Sequence, residues 1–147
     1  MKEQQYQMLV SQIASLIEGE TDEIAAMSNV AAAIHQEMHF WWTGFYRVVG
    51  EELLLGPFQG PVACMHIPFG KGVCGTAWQR RETIVVPDVE QFPGHIACSS
   101  ASRSEIVVPV FNKEGNVIAV LDIDSEHLAT FDDIDRHYFE QICQLIA

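Results

Sequence analysis

Apolar residues return at helical spacing near the start of the chain. Tyr6, Leu9, Ile13 and Leu16 or Ile17 form one stripe over residues 3–18, and Gly19 ends it. A second helix is predicted over residues 22–37, with Thr21 able to cap it and Asp22 and Glu23 at its positive end. From Phe40 the period shortens to two. Trp42, Gly44, Tyr46 and Val48 share one face of a strand, and Trp41, Thr43, Phe45 and Arg47 share the other. Gly50-Glu51 turns this strand into 52–55, and Gly56-Pro57 and Gly60-Pro61 punctuate a loop before a short strand over 63–67.

Phe69-Gly70-Lys71-Gly72 leads into a short helix over 74–80, and 83–86 reads as a strand. Residues 87–103 show no sustained period, and an irregular stretch of that length inside a compact domain marks a binding loop or lid. Two strands follow, 104–111 and 116–124, joined by Asn112-Lys113-Glu114-Gly115. A last helix begins near Asp132, capped by Thr130 or Asp132, with Ile134, Tyr138, Ile142 and Leu145 along one stripe. Terminal helices around a strand-rich middle predict an α+β fold built on an antiparallel sheet, as one domain over residues 1–147.

Composition narrows the function classes. A chain of 147 residues with 48% hydrophobic and 19% charged positions is neither disordered nor fibrous. No apolar run approaches the roughly 18 residues that span a bilayer, and the first residues carry no apolar signal core, so a soluble cytoplasmic protein is expected. Eight Lys and Arg against 20 Asp and Glu leave a net charge of −12 and no basic stripe for nucleic acid. Four cysteines in such a chain read as reactive or buried thiols rather than a permanent disulfide frame.

Candidate chemistry lies in two places. Along 117–124, Val117, Ala119, Leu121 and Ile123 face one way and Ile118, Val120, Asp122 and Asp124 the other. A two- or four-residue hairpin loop would set Glu105 directly opposite Asp122, and a three-residue loop would break that pairing. Three carboxylates in one patch imply a shared proton or a cation among them, hence a pocket for an amine or a source of acid. A solvated strand end is the plain alternative. Ca²⁺ or Mg²⁺ would suit the carboxylates, but no spaced oxygen-ligand loop accompanies them. Trp42 and Tyr46, on one strand face, are placed to wall such a pocket.

The second place is the cysteines. Cys74 opens the short helix, where the dipole would favour a thiolate, and Cys98 has His95 and Arg103 close in sequence to lower its pKa. Cys143 lies in the last helix and packs. Spacing alone does not say whether Cys64 and Cys98 meet. Zinc held by Cys64, His66, Cys74, His95 and Cys98 is the competing reading, but the chain has no Cys-x-x-Cys pair, so no metal is expected.

The segments Gly56-Pro57-Phe58-Gln59-Gly60, Gly72-Val73-Cys74-Gly75, Phe92-Pro93-Gly94-His95-Ile96-Ala97-Cys98, Ser104-Glu105-Ile106-Val107-Val108-Pro109 and Val120-Leu121-Asp122-Ile123-Asp124-Ser125 resemble the free methionine-(R)-sulfoxide reductases, enzymes built on a GAF domain. Trp42-Thr43-Gly44-Phe45-Tyr46 matches the aromatic strand of that family. The resemblance implies a six-stranded antiparallel sheet with the N- and C-terminal helices on one face and a ligand pocket on the other. It implies Cys98 as nucleophile, Cys64 as resolving thiol and Cys74 as a candidate second one. Trp42, Tyr46, Glu105, Asp122 and Asp124 would hold the substrate. No bound cofactor is implied; thioredoxin would return the electrons, and the terminal helices suit a homodimer. Ser99 stands where the family commonly has Asp, and Ala119 where it has Gly. A GAF sensor of some other small ligand is the alternative, although three acids would repel a phosphate.

Overall fold

The computed structural model describes residues 1–96, 98 and 101–147. Two helices, α1 (Lys2–Leu16) and α2 (Glu23–Met38), lead into β1 (Trp42–Val49), β2 (Glu52–Gln59) and β3 (His66–Pro68). Then come α3 (Gly72–Arg80), β4 (Ile84–Val86), β5 (Ser104–Phe111), β6 (Val117–Ser125) and α4 (Asp133–Gln144). The strands form one antiparallel sheet in the order β3-β2-β1-β6-β5-β4. This is the α+β arrangement predicted.

Each face of the sheet has its own apolar cluster. Behind it, α1, α2 and α4 bury Tyr6, Leu9, Val30, Ile34, Phe139 and Ile142 against Phe45, Ile106, Leu121 and Ile123. In front, α3 and the loops cover Trp42, Tyr46, Val107 and Val120 with Val73, Cys74 and Ala77. Cys143 is buried in the rear cluster, as expected of a packing residue.

Several boundaries differ from expectation for local reasons. Asp22, not Thr21, caps α2, its carboxylate accepting from the Ile24 and Ala25 amides. β2 runs on through Gly56-Pro57 because a bulge sets these two residues against Phe45, which frees proline from the ladder. Trp41 precedes the first strand residue, so alternation does not govern it, and it packs in the front cluster with Trp42 rather than opposite it. On α4 the buried stripe is Tyr138, Phe139, Ile142 and Cys143, while Leu145 is exposed.

The hairpin between β5 and β6 corrects the predicted register. The Asn112 amide donates to the Asn116 carbonyl around a three-residue loop, which closes at Gly115 with φ +82°. The Asn112 side chain accepts from the Glu114 and Asn116 amides and holds that turn. A bulge then follows between Val110 and Phe111. Glu105 therefore pairs with Asp124, and Val107 with Asp122. The same bulge turns Val117 to the front cluster and Ile118 to the rear, the reverse of simple alternation.

Candidate active site

Three adjacent strands set out the floor of a front-face cavity. Trp42 of β1 pairs with Asp124 of β6, and Gly44 pairs with Asp122. On the far side of β6, Glu105 of β5 pairs with Asp124. Residues opposite one another in an antiparallel pair point the same way, so the three carboxylates share the front face, with Asp122 diagonal to Glu105 rather than opposite it.

Gly44 makes room above Asp122. A Cβ there would lie 2.3 Å from Phe58 Cβ and 2.6 Å from the Trp42 ring. Trp42 stacks on Tyr46 at 5.9 Å and on Phe58 at 5.2 Å, and both Trp42 and Tyr46 are buried. The polar ends of these two rings fasten the loop after β2. The Trp42 indole donates to the Pro61 carbonyl at 3.0 Å, and the Tyr46 hydroxyl donates to the Cys64 carbonyl at 2.9 Å.

Two of the acids sit out of water, Glu105 being 5% exposed and Asp122 6%, and Asp124 is half-buried beside them. Burial pushes all three carboxyls up from the ordinary range, and the charge of Asp122 adds to the effect on Glu105 and Asp124. The cluster therefore keeps protons to higher pH than isolated acids would. Ser102 donates to Asp124 at 3.4 Å, and His95 Nε2 lies 3.9 Å from Glu105. Burial lowers the pKa of His95 against the pull of Asp122, which favours the neutral ring. Asp122 Oδ1 is buried with no partner.

Cys74 reverses its expectation. It lies at the start of α3, but it is buried beside Asp122 and Glu105, so desolvation and their charges push its thiol up rather than toward thiolate. Its Sγ and oxygens of Glu105 and Asp122 lie within 4.8 Å of one another. Cys64 and Cys98, which spacing left unrelated, are joined by a disulfide with Cα atoms 5.5 Å apart, and Cys98 lines the cavity. The zinc set therefore does not assemble: two of its thiols are bonded to each other, and exposed His66 pairs with Glu52 at 3.1 Å. Arg103 is not among the cavity-lining residues described, and Ser99 lies outside the described residues. Sequence reasoning missed Trp41, Ser102 and Ile96, which also line the cavity. The paired tryptophans were the available signal for Trp41; Ser102 and Ile96 lie in a segment without period.

A six-stranded antiparallel sheet, helices behind and a cavity in front are the marks of a GAF domain, and the GAF domain family model matches residues 20–147. GAF domain-containing protein A of Dictyostelium discoideum is 56% identical over 99% of this chain and 92% of its own. The free methionine-R-sulfoxide reductase of Saccharomyces cerevisiae is 40% identical over 99% of this chain and 85% of its own. The X-ray structure of the free methionine-R-sulfoxide reductase of Neisseria meningitidis in complex with its substrate superposes with a TM-score of 0.96 at 49% identity, covering 99% of this chain and 88% of that one. The chain belongs to the GAF-domain family of free methionine-(R)-sulfoxide reductases, a family of oxidoreductases.

Proposed function

We propose that this chain reduces free methionine-(R)-sulfoxide to methionine, with Cys98 as nucleophile and Cys64 as resolving thiol. The observation that carries the reading is the Cys64–Cys98 disulfide, whose Cys98 lines a cavity that also holds the carboxyls of Glu105, Asp122 and Asp124. Two thiols and a sulfoxide balance to one disulfide, methionine and water.

In the first step the Cys98 sulfur attacks the sulfoxide sulfur, and the oxygen needs a proton as its bond to that sulfur breaks. The proton retained among Glu105, Asp122 and Asp124 supplies it. The oxygen ends on the Cys98 sulfur, so methionine leaves and Cys98 becomes a sulfenic acid; the Cys64 thiol then displaces water from it to form the disulfide. The remaining negative charge of the acid cluster pairs with the substrate ammonium group, which a methionine inside a polypeptide lacks. Trp42 and Tyr46 cover the thioether. Cys74, held as a thiol, is the reserve resolving group.

The reading further includes thioredoxin as electron donor, no bound cofactor, a cytoplasmic setting and a homodimer, the last suggested by exposed Met8 and Leu16 on α1. It treats residues 1–147 as one unit, since α1 and α4 share the rear cluster. The test is thioredoxin-coupled NADPH oxidation with free methionine-(R)-sulfoxide. Wild type turns over and Cys98→Ser falls to background. A wild type at background removes the reductase reading, and an undiminished Cys98→Ser removes the assigned nucleophile.

A further inference from the structure

We propose that the loop over residues 60–65 is the docking surface for the protein dithiol that reopens the disulfide, and that this partner attacks Cys64. The inference rests on the recycling step proposed above. Thiol–disulfide exchange needs the incoming sulfur in line with the bond it breaks, so the partner must cover the residues beside the sulfur it strikes. Beside Cys64 those residues are Val62 and Met65, which are 89% and 67% exposed. Single apolar side chains on a surface are ordinary; two flanking one half of a disulfide form a contact face.

The loop is also held in place. Trp42 grips the Pro61 carbonyl, Tyr46 the Cys64 carbonyl, and the Leu55 amide donates to the Met65 carbonyl at 2.9 Å. None of these bonds involves the disulfide, so the face is preformed and its ordering adds little cost to association.

In the exchange a partner thiolate bonds to Cys64 Sγ, and the bond to Cys98 breaks with Cys98 leaving as thiolate. The second partner thiol then displaces Cys64, also as a thiolate. The partner is oxidised by two electrons, and both thiolates take up protons.

The test compares thioredoxin with dithiothreitol as reductant in wild type and Met65→Asp, since Met65 is not among the cavity-lining residues described. The substitution should raise the KM for thioredoxin about tenfold and leave dithiothreitol-driven turnover within about twofold. A thioredoxin with its second active-site cysteine replaced by serine should be trapped on Cys64, as mapped by mass spectrometry. An unchanged KM for thioredoxin, an equal loss with both reductants, or a trapped bond at Cys98 overturns the surface while leaving the reductase reading intact. A wild type that turns over with dithiothreitol but not with thioredoxin also overturns it. Turnover with neither reductant overturns the reductase reading, and the surface with it.

Discussion

Asp122 shows how a residue proposed for the active site works against the fold that holds it. Its carboxyl is buried, one oxygen has no partner, and two further acids lie beside it. In the unfolded chain these acids release their protons near pH 4, whereas burial and mutual repulsion keep protons on the folded cluster above that pH. The folded state thus binds more protons, and stability falls as pH rises from the ordinary carboxyl range through the raised one. Asp122→Asn should raise the melting temperature at pH 8, by about 1–3 kcal/mol of stability, and flatten its decline with pH while turnover is lost. Chemical denaturation at pH 6 and pH 8 checks this, and an equal pH slope in both proteins would contradict it. Gly44 makes the opposite case, a residue whose lack of side chain creates the site. Gly44→Ala drives a methyl into Trp42 and Phe58 and should destabilise by about 1–3 kcal/mol, with a weakened KM for substrate, measurable by a urea melt and steady-state kinetics. The paired disposition of Cys64 and Cys98 was not legible at this scale. A separation of 34 residues says nothing about distance in space, and only the resemblance to a known family linked them.

Among the elements, the sequence foretold most of what periodicity can carry. Alternation along β6 put Asp122 and Asp124 on one face, and that face is the cavity floor. What alternation could not carry was the bulge at Val110 and Phe111, because the pattern of apolar residues there is compatible with either face. The error displaced Glu105 by one pair, from opposite Asp122 to opposite Asp124, and left the cluster assembled. Length judgments failed where proline was taken as a stop, since Pro57 sits in a bulge that needs no amide. Part of the join between α1 and α4 was invisible for another reason: besides the apolar contact of Tyr6 with Tyr138 and Phe139, it is made by polar atoms. The Tyr6 hydroxyl donates to buried Asp135, whose other oxygen takes Lys2 at 2.6 Å and the Asp132 amide at 2.8 Å. Tyr6→Phe removes one donor from a buried carboxylate and should cost about 1–3 kcal/mol of stability with turnover at moderate temperature unchanged, since the network lies on the rear face. Equilibrium unfolding beside an activity assay tests both halves.

For the whole molecule, the two faces of the sheet divide the labour. The rear cluster is aliphatic and aromatic and supplies cohesion, while the front cluster, also apolar, surrounds thiols and acids that supply little of it. The disulfide is the exception in front, tying the loop after β2 to the long segment before β5. Closing a loop of that length restricts the unfolded chain by about 3–4 kcal/mol in the chain-entropy model. Reduction should therefore lower the melting temperature by several degrees, as seen by calorimetry with and without dithiothreitol, and Cys64→Ser should melt near the reduced protein. One practical result concerns any preparation kept in air. Its molecules drift toward the sturdier species, which under the proposed mechanism has no Cys98 thiol to offer the next sulfoxide, so a batch chosen for heat resistance is on that mechanism a batch enriched in idle protein.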